Sequence, residues 1–285
     1  MFVTSGLPKF SVLIPVYFKE QPIFFEKALS SVLSQNYMPD EVVIVEDGPL
    51  TEDLYQVIEQ KKTSYPNLIK TIKLEENMGV GFAMNFGLKH CKNQYIARMD
   101  TDDIAHPDRF LKQMTYLNEH PEVDIIGSFI EEFHDIPGDM KRYREVPVDH
   151  KEIIRYAKLR CPINHVTAIF KKSMVLKAGS YTNTKNSFED YPLWYRMIKA
   201  GARFYNFPEA LVYVRIGNNM DIRRRGPEYF KHELIFFKAM RADGFITALQ
   251  FYVGIAARWS TRHLPIFVLR FIYDKVLRQR PKYQP

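Results

Sequence analysis

Apolar runs alternate with amphipathic stretches along the first 120 residues. Phe10–Tyr17, Glu41–Val45 and Tyr95–Met99 have the length and composition of buried strands, and a further strand is predicted around Leu68–Leu74. Apolar residues at helical spacing between and after these runs predict helices, the first beginning at Pro22. The alternation predicts an α/β fold, a mostly parallel sheet flanked by helices. The helical stripes are Phe25, Leu29, Val32 and Leu33; Leu54, Val57 and Ile58; and Leu111, Met114 and Leu117 after Pro107.

The second half of the chain is less regular. Val123–Phe129 and Ile163–Phe170 predict strands, and the polar segment Glu132–Asp149 predicts a long loop or an edge hairpin. Ser187–Ala200 predicts a helix that ends before Gly201. The remaining predictions are short strands at Phe204–Phe207 and Leu211–Ile216, a basic loop near Asn218–Gly226, and helices near Pro227–Ala242, Ile246–Thr261 and Pro265–Arg278.

The formal net charge of +7 is concentrated at the C-terminal end of the 285-residue chain. Residues 223–285 contain thirteen Lys and Arg against four Asp and Glu, so the rest of the chain is slightly acidic. This distribution argues against a nucleic-acid partner. A basic tail rich in aromatic and aliphatic residues predicts contact with an anionic membrane surface. The alternative is a pair of helices that pack on the main domain with their Arg head groups in solvent.

Three further features concern the compartment. Cys91 and Cys161 are far apart and lack metal-ligand spacing, which favours a reducing environment. The N-terminal residues lack the basic and apolar regions of a signal peptide, and no run of 18 apolar residues predicts a membrane span. We therefore expect a cytoplasmic protein that associates peripherally with the inner face of the cell membrane.

Three carboxylates, Asp100, Asp102 and Asp103, follow the strand Tyr95–Met99. Ligands of open α/β sheets bind at the carboxyl ends of the strands. Clustered carboxylates repel one another unless a cation or strong donors lie between them. Hard oxygen ligands suit Mg²⁺ or Mn²⁺, which usually share such a site with substrate phosphates. The alternative is a solvated acidic turn.

The three earlier strand ends also carry polar groups, at Tyr17–Glu20, at Glu46–Gly48 and in the loop with Asn77 and Gly79. Asp47 precedes Gly48 in a turn and is a candidate acceptor for a base N–H or a ribose hydroxyl, although most Asp-Gly pairs are simply turns. Gly79 follows Asn77 in a loop where backbone can approach a ligand closely. This loop lacks the G-x-G-x-x-G spacing and the P-loop lysine, which excludes the usual dinucleotide and NTPase sites.

Four segments together resemble the family 2 glycosyltransferases: Ser11–Tyr17, Val43–Gly48, Asn77–Gly87 and Met99–Asp103. The resemblance implies an inverting enzyme with a GT-A fold, a nucleotide-sugar donor and Mn²⁺ or Mg²⁺, of the bacterial polysaccharide or surface-glycan type. It places Asp100 at the ribose and Asp102, with Asp100, at the metal. Many relatives carry Arg where this chain has Met84, which implies one fewer nucleotide contact. The implied nucleotide-sugar residues are Pro15, Val16, Tyr17, Glu20, Asp47, Asn77, Gly79, Asn85, Asp100, Thr101 and Asp102.

The resemblance also implies a catalytic base in the second half of the chain. Inverting transfer needs a carboxylate that takes the proton of the acceptor hydroxyl. Asp190 matches this role and Glu189 is the second candidate; alternatively, both are acids that stabilise the first turn of a helix. His165 is a candidate phosphate or acceptor contact, or else a structural histidine. Arg224 and Arg225 are candidate phosphate ligands; the alternatives are a solvated loop and a loop that binds lipid phosphate.

The processive synthases' Gln-x-x-Arg-Trp motif and long membrane spans are absent from the sequence, which favours addition of a single sugar. We expect transfer from a UDP-linked hexose or N-acetylhexosamine to a lipid-linked or surface-polysaccharide acceptor. The expected catalytic domain covers residues 1–222, with a nucleotide-sugar half (8–132) and an acceptor half (133–222), and the helical membrane-proximal tail covers 223–285. The alternatives are a sugar nucleotidyltransferase and a non-catalytic nucleotide-binding adaptor.

Overall fold

A computed structural model describes residues 6–182, 188–217 and 226–263. Within these ranges, nine strands form one sheet in the order β3-β2-β1-β4-β8-β6-β9-β5, with β7 beside β6. The strands are β1 (Phe10–Val16), β2 (Glu41–Glu46), β3 (Ile69–Lys73), β4 (Tyr95–Arg98), β5 (Ile104–Ala105), β6 (Ile125–Phe133), β7 (Arg142–Arg144), β8 (Ile169–Lys171) and β9 (Phe204–Arg215). The α-helices are α1 (Pro22–Leu33), α2 (Glu52–Ser64), α3 (Val80–His90), α4 (Arg109–Glu119), α5 (His150–Tyr156), α6 (Lys172–Lys177), α7 (Asp190–Lys199), α8 (Pro227–Ala242) and α9 (Ala248–His263).

Helices cover both faces of the sheet because side chains alternate along the central strands. Val12 and Ile14 of β1 enter a core formed with α1, α2 and α4. Leu13, between them, enters the opposite core with α3 and α7. Strands β1 to β4 are parallel, as the apolar runs predict. The α/β sheet flanked by helices is therefore confirmed, and its second half is mixed because β8 pairs antiparallel with both β4 and β6.

Two strand predictions in the second half need correction. The prediction of a strand over Ile163–Phe170 is wrong in its first part, where residues 165–167 form a 3₁₀ turn closed by two hydrogen bonds from Thr167 to the Asn164 carbonyl. Phe204–Phe207 and Leu211–Ile216 are one strand, β9. Its pairing with β6 jumps from Phe207 to Ala210. Pro208 lies in this irregularity, where a residue without an N–H is tolerated.

Other local predictions agree with the structure. The segment after β6 returns as β7 and forms the predicted edge hairpin. Helix α8 has the predicted bounds, and α9 begins two residues later than predicted. The predicted helix Pro265–Arg278 lies outside the described residues. Short elements that the pattern did not indicate are β5, α5 and α6.

Helices α8 and α9 form an antiparallel hairpin that packs on α7. Arg258 and Arg262 of α9 both pair with the buried Glu233 of α8. Phe236 of α8 packs edge-on against Tyr191 of α7, with 4.8 Å between ring centroids. Arg258 Nη2 also donates to the Leu159 carbonyl at 2.8 Å, in the connection after α5. The hairpin is therefore fixed to the part of the chain that carries the Glu189–Asp190 pair.

Among the described helices, none combines the length and the apolar character needed to cross a bilayer.

Replacing Glu233 by Gln is expected to lower the free energy of unfolding by about 3 kcal/mol, since it leaves two largely buried guanidinium groups without their carboxylate. Urea unfolding followed by circular dichroism measures this loss. Glu228→Gln, at an exposed position in the first turn of the same helix, is the matched control and should change stability by about 1 kcal/mol or less. Equal effects of the two substitutions would contradict the assigned role of Glu233.

Candidate active site

The parallel strands bring the predicted donor-side residues to one edge of the sheet. Asp47 directly follows β2, and its N–H donates to the Val16 carbonyl at the end of β1 at 2.8 Å. Met99 directly follows β4, and its N–H donates to the Leu13 carbonyl at 3.2 Å. The turn that starts at Asp100 therefore lies beside the end of β1. This is the edge at which α/β sheets bind ligands.

Asp47 holds the loop that leads into α3. Its carboxylate accepts hydrogen bonds from Met78 N at 2.7 Å, Gly79 N at 3.0 Å and Asn77 Nδ2 at 3.1 Å. Burial raises the pKa of Asp47, while the bonds from the two backbone N–H groups oppose that rise. Gly48 has φ +85°, and an added Cβ would lie 2.7 Å from Asn77 N, so the turn requires glycine. Asp47 thus shapes the predicted nucleotide loop.

The acidic turn contains three carboxylates in different environments. Arg98, buried at the end of β4, binds Asp100 through both terminal nitrogens, with Nη1 donating to Oδ2 at 2.7 Å. Asp100 keeps a third of its side chain exposed. Asp103 is 2% exposed, and burial, reinforced by the charges of Asp102 and Asp100, raises its pKa well above the usual range. Asp100 and Asp102 are therefore the accessible carboxylates of the turn.

Arg215, the last residue of β9, fixes this turn from the other side. Its N–H donates to Asp103 Oδ1 at 2.9 Å, and its Nε donates to the Asp102 carbonyl at 3.2 Å. The guanidinium lies between the rings of Phe24 and Phe133, at 3.9 and 4.4 Å from their centroids. The acidic turn is thus held by a strand that lies more than a hundred residues later in the chain.

The donor set of the turn suits a hard divalent cation. Mg²⁺ and Mn²⁺ are commonly held by one or two carboxylates together with substrate phosphates. Asp102 and Asp100 supply such carboxylates, and Asp100 is already bound to Arg98. Among the described residues, no group of three or more His, Cys, Asp or Glu side chains is arranged to hold a metal ion. Asp102 and Asp100 are the residues that would hold a divalent cation at this turn.

The Glu189–Asp190 pair lies at the start of α7. Asp190 Oδ1 accepts a hydrogen bond from Tyr191 N at 2.7 Å, and its Oδ2 is 3.5 Å from Cys161 Sγ. Burial, followed by the charge of Asp190, raises the pKa of the Cys161 thiol well above its usual range, so the thiol stays neutral. Asp190 is half-buried. Its carboxylate is therefore oriented by one backbone N–H and one weak donor.

Glu189 is 7% exposed and lies beside His165. The distance from His165 Nδ1 to Glu189 Oε1 is 3.7 Å, and His165 Nε2 is 2.9 Å from Tyr181 Oη. The imidazole also packs edge-on against Trp194, with 5.6 Å between ring centroids. The structure thus places His165 in a buried cluster beside the candidate base. Its predicted contact with phosphate or acceptor stays a prediction.

The donor side and the Glu189–Asp190 pair meet at two places. At the first, Gly81 in the opening turn of α3 has no room for a side chain, because an added Cβ would lie 2.7 Å from the Thr182 carbonyl oxygen and 3.3 Å from Glu189 Cβ. At the second, the buried Tyr181 lies within the electrostatic influence of Asp100 and Asp190. Its pKa is raised by burial, opposed by Arg98, and raised further by Glu189, Asp190 and Asp100. The Glu189–Asp190 pair therefore lies next to the start of α3 and its nucleotide loop.

The remaining predicted residues surround this edge. Pro15, Val16, Tyr17 and Glu20 lie at or after the end of β1, and Thr101 is buried in the acidic turn. Asn85 Oδ1 accepts from Ser180 Oγ at 2.7 Å, which links α3 to the segment before α7. Met84 is fully buried in the core. Its side chain therefore does not take over the nucleotide contact that the resemblance implies for an arginine at this position. Arg224 and Arg225 lie outside the described residues.

Gly81→Ala is expected to lower kcat/KM for sugar transfer by about tenfold or more, because displacements of about 1 Å in an active site can cost a hundredfold in rate. The added methyl would push the Thr182 backbone and Glu189 away from the nucleotide loop. Steady-state kinetics with saturating and limiting donor measures the loss. Lys89→Ala, at an exposed position of the same helix, should retain full activity. Unchanged kinetics in both variants would show that the contact at Gly81 is unimportant.

Sequence reasoning missed Arg98, Cys161, Tyr181 and Arg215. Arg98 had a detectable signal, since a charged residue inside an apolar strand next to Asp100 must find a partner. The other three are recognisable only from the fold, because their partners lie far away in the chain.

Comparisons with known proteins identify the chain's relatives. The family model described as Glycosyl transferase family 2 matches residues 11–178. The amylovoran biosynthesis glycosyltransferase AmsE of Erwinia amylovora is 38% identical over 93% of this chain and 98% of its own length. The UDP-Gal:alpha-D-GlcNAc-diphosphoundecaprenol beta-1,3-galactosyltransferase of Escherichia coli is 36% identical over 97% and 99%, respectively.

The fold is also similar to a solved glycosyltransferase structure. The mannosyltransferase PcManGT from Pyrobaculum calidifontis, in complex with GDP-Man and Mn²⁺, aligns with 93% of this chain and 73% of its own, with a TM-score of 0.65 and 17% identity. This likeness supports the GT-A architecture that the four motifs imply. Since the family model covers more than half of the chain and two relatives align over nearly its whole length, the chain belongs to glycosyl transferase family 2.

Proposed function

We propose that this protein transfers a single sugar, with inversion, from a UDP-linked hexose or N-acetylhexosamine to a lipid-linked glycan acceptor. The observation that carries the proposal is the close approach of Glu189 to Gly81, at the end of the loop that Asp47 holds beside the ends of β1 and β2. Carboxylates beside a donor diphosphate and a separate carboxylate for the acceptor are what inverting transfer requires. A nucleotide-binding adaptor would not need the second group.

The residues have separate roles in this reaction. The ends of β1 and β2, with the loop held by Asp47, form the nucleoside pocket. Asp100 and Asp102 face the ribose and the diphosphate. A Mg²⁺ or Mn²⁺ ion bound at Asp102 would act as a Lewis acid toward the diphosphate. Asp190 accepts the proton of the attacking acceptor hydroxyl, and Glu189, held beside His165, lines the same site.

The proposed substrates follow from the relatives and from the distribution of charge. The E. coli relative is named for a UDP-Gal donor and a diphosphoundecaprenol-linked acceptor, and its alignment includes most of the C-terminal region. In this chain that region holds thirteen Lys and Arg against four Asp and Glu, which suits an anionic membrane surface. We therefore propose that the enzyme acts at the cytoplasmic face of the membrane. Residues 1–222 serve as the catalytic domain and 223–285 as the membrane-proximal part.

Donor turnover by the purified protein tests the proposal. UDP-, GDP- and dTDP-sugars are incubated with the protein, with and without Mn²⁺ or Mg²⁺, and both binding and release of the nucleoside diphosphate are measured. We expect metal-dependent turnover of one UDP-sugar and, with a polyprenyl-diphosphate-linked sugar acceptor, a single added residue. Failure to bind any nucleotide sugar would contradict the proposal. Pyrophosphate release from a nucleoside triphosphate and a sugar phosphate would instead identify a nucleotidyltransferase.

A further inference from the structure

Helix α9 packs on α8 with one face and exposes large apolar side chains on the other. The inward face, which packs on α8, includes Phe251 and Gly254. A Cβ added at Gly254 would lie 2.6 Å from a ring carbon of Phe237, so the two helices are in close contact there. The opposite face carries apolar residues at helical spacing, with Leu249 73%, Tyr252 69%, Val253 50% and Trp259 56% exposed. We call this face the outer stripe, and it consists of Leu249, Tyr252, Val253, Ala256 and Trp259.

The outer stripe has no charged residue to keep it in water. Between positions 248 and 262, the helix has two charged residues, Arg258 and Arg262, and both side chains turn inward. Their guanidinium groups pair with Glu233 of α8 at 3.3 and 2.8 Å, respectively, and their side chains are each 14% exposed. A helix that packs on one face and meets water on the other normally carries polar residues on the second face. An exposed apolar face of this kind marks an interaction site.

We propose that the outer stripe is the surface through which this protein lies on an anionic lipid bilayer. Tyr252 and Trp259 have amphipathic rings, which favour the membrane interface. Lys238 and Arg241 are exposed on the last turns of α8, at the same end of the antiparallel hairpin as Leu249. Basic groups at one end of an apolar surface suit an anionic lipid interface. The inference rests on the proposed function, because a lipid-linked acceptor requires an enzyme at the membrane.

The outer stripe has a defined position relative to Asp190, which relates membrane contact to the proposed reaction. Helix α8 packs on both α9 and α7, and the rings of its Phe236 and Phe237 lie 4.8 and 6.4 Å from the ring of Tyr191, measured between centroids. Tyr191 is the residue after Asp190, and its Oη donates to the Ala157 carbonyl at 2.7 Å. A bilayer against the outer stripe therefore has a fixed orientation to Asp190. The hairpin would present the site to acceptors that extend from the lipid surface.

Vesicle binding by the full chain tests the inference. Flotation assays compare phosphatidylglycerol-containing vesicles with pure phosphatidylcholine vesicles. The variants are a triple substitution, Leu249→Ser with Tyr252→Ser and Val253→Ser, and the single substitution Leu249→Glu, which changes the most exposed position. We expect the triple substitution to weaken binding to anionic vesicles more than tenfold, since burial of each apolar side chain is worth at least that factor. Vesicles should also shift the tryptophan emission to the blue, and Trp259→Phe should remove the shift.

Matched controls and two alternative outcomes make the test decisive. Ile136→Ser and Leu176→Ser, at exposed apolar positions elsewhere, should bind vesicles like the unchanged chain. Unchanged vesicle binding by the stripe variants would overturn the inference. If vesicle binding is unchanged but the stripe variants are monomers where the unchanged chain is a dimer, the stripe contacts a second copy. If vesicle binding is unchanged but the stripe variants unfold at a lower midpoint, the stripe contacts residues 264–285.

Donor turnover measured without vesicles separates this inference from the proposed function. The stripe variants should hydrolyse the nucleotide sugar at the unchanged rate, because the stripe does not touch the donor site. Stripe-dependent vesicle binding by a protein that turns over no nucleotide sugar would refute the function and retain the surface. Full turnover of the nucleotide sugar, with vesicle binding that does not depend on the stripe, would support the proposed function and refute the proposed membrane surface.

Discussion

Asp190→Asn is expected to reduce sugar transfer by about a thousandfold while donor binding stays unchanged. General base catalysis contributes typically about 10²- to 10⁴-fold in rate, and the amide cannot take the acceptor proton. Asparagine keeps the shape of the side chain and an oxygen that can accept the hydrogen bond from Tyr191 N. The fold of α7 is therefore expected to persist. The measurements are kcat for transfer and the Kd of the nucleotide sugar by calorimetry.

Two comparisons separate a catalytic role of Asp190 from a structural one. Glu52→Gln removes an acid from the first turn of α2, so it reports the effect of the helix dipole alone, about 0.3–1 kcal/mol of stability, with activity retained. Glu189→Gln distinguishes the two members of the pair. We expect Glu189→Gln to lose less activity than Asp190→Asn. Normal transfer by Asp190→Asn, or a larger loss in Glu189→Gln, would move the role of base to Glu189.

The first half of the fold was predictable because its information is local. Strands β1 and β2 contain near-continuous apolar runs, and the helices carry stripes at regular spacing, so Phe10–Val16 and Pro22–Leu33 follow from the pattern. The second half depends on long-range pairing. Strand β8 has three residues and joins the sheet between β4 and β6, which its own sequence does not indicate. The sequence pattern divides β9 into two strands near Pro208. It does not show that the partner strand β6 maintains the pairing across this irregularity.

The candidate site shows the same division. Residues such as Asp47, Asp102 and Asp190 belong to short motifs whose chemistry is recognisable locally. The groups that position them do not. Arg215 reaches the acidic turn across 112 residues of sequence, and Ser180 reaches Asn85 across 95. The surroundings of His165, formed by Glu189 and Tyr181, likewise appear only when the chain is folded.

Asp102→Asn is expected to remove metal-dependent donor turnover, with a loss of about a hundredfold or more in kcat/KM, since a bound cation can supply several kcal/mol of transition-state stabilisation. The neutral amide is a weaker ligand for a hard cation than the carboxylate. Mn²⁺ titrations in the presence of UDP should show a matching loss of metal affinity. This binding measurement does not depend on turnover.

Asp103→Asn is the matched comparison within the same turn. Asp103 is buried, its pKa is raised well above the usual range, and its Oδ1 accepts the Arg215 N–H at 2.9 Å. An amide oxygen can accept the same bond, so we expect Asp103→Asn to keep the Mn²⁺ affinity of the unchanged chain. If Asp102→Asn bound Mn²⁺ normally and Asp103→Asn did not, the metal would have to be reassigned to Asp103. The Asp103 side chain would then have to become accessible to the donor, and the hydrogen bonds of Arg215 to the turn would have to change as well.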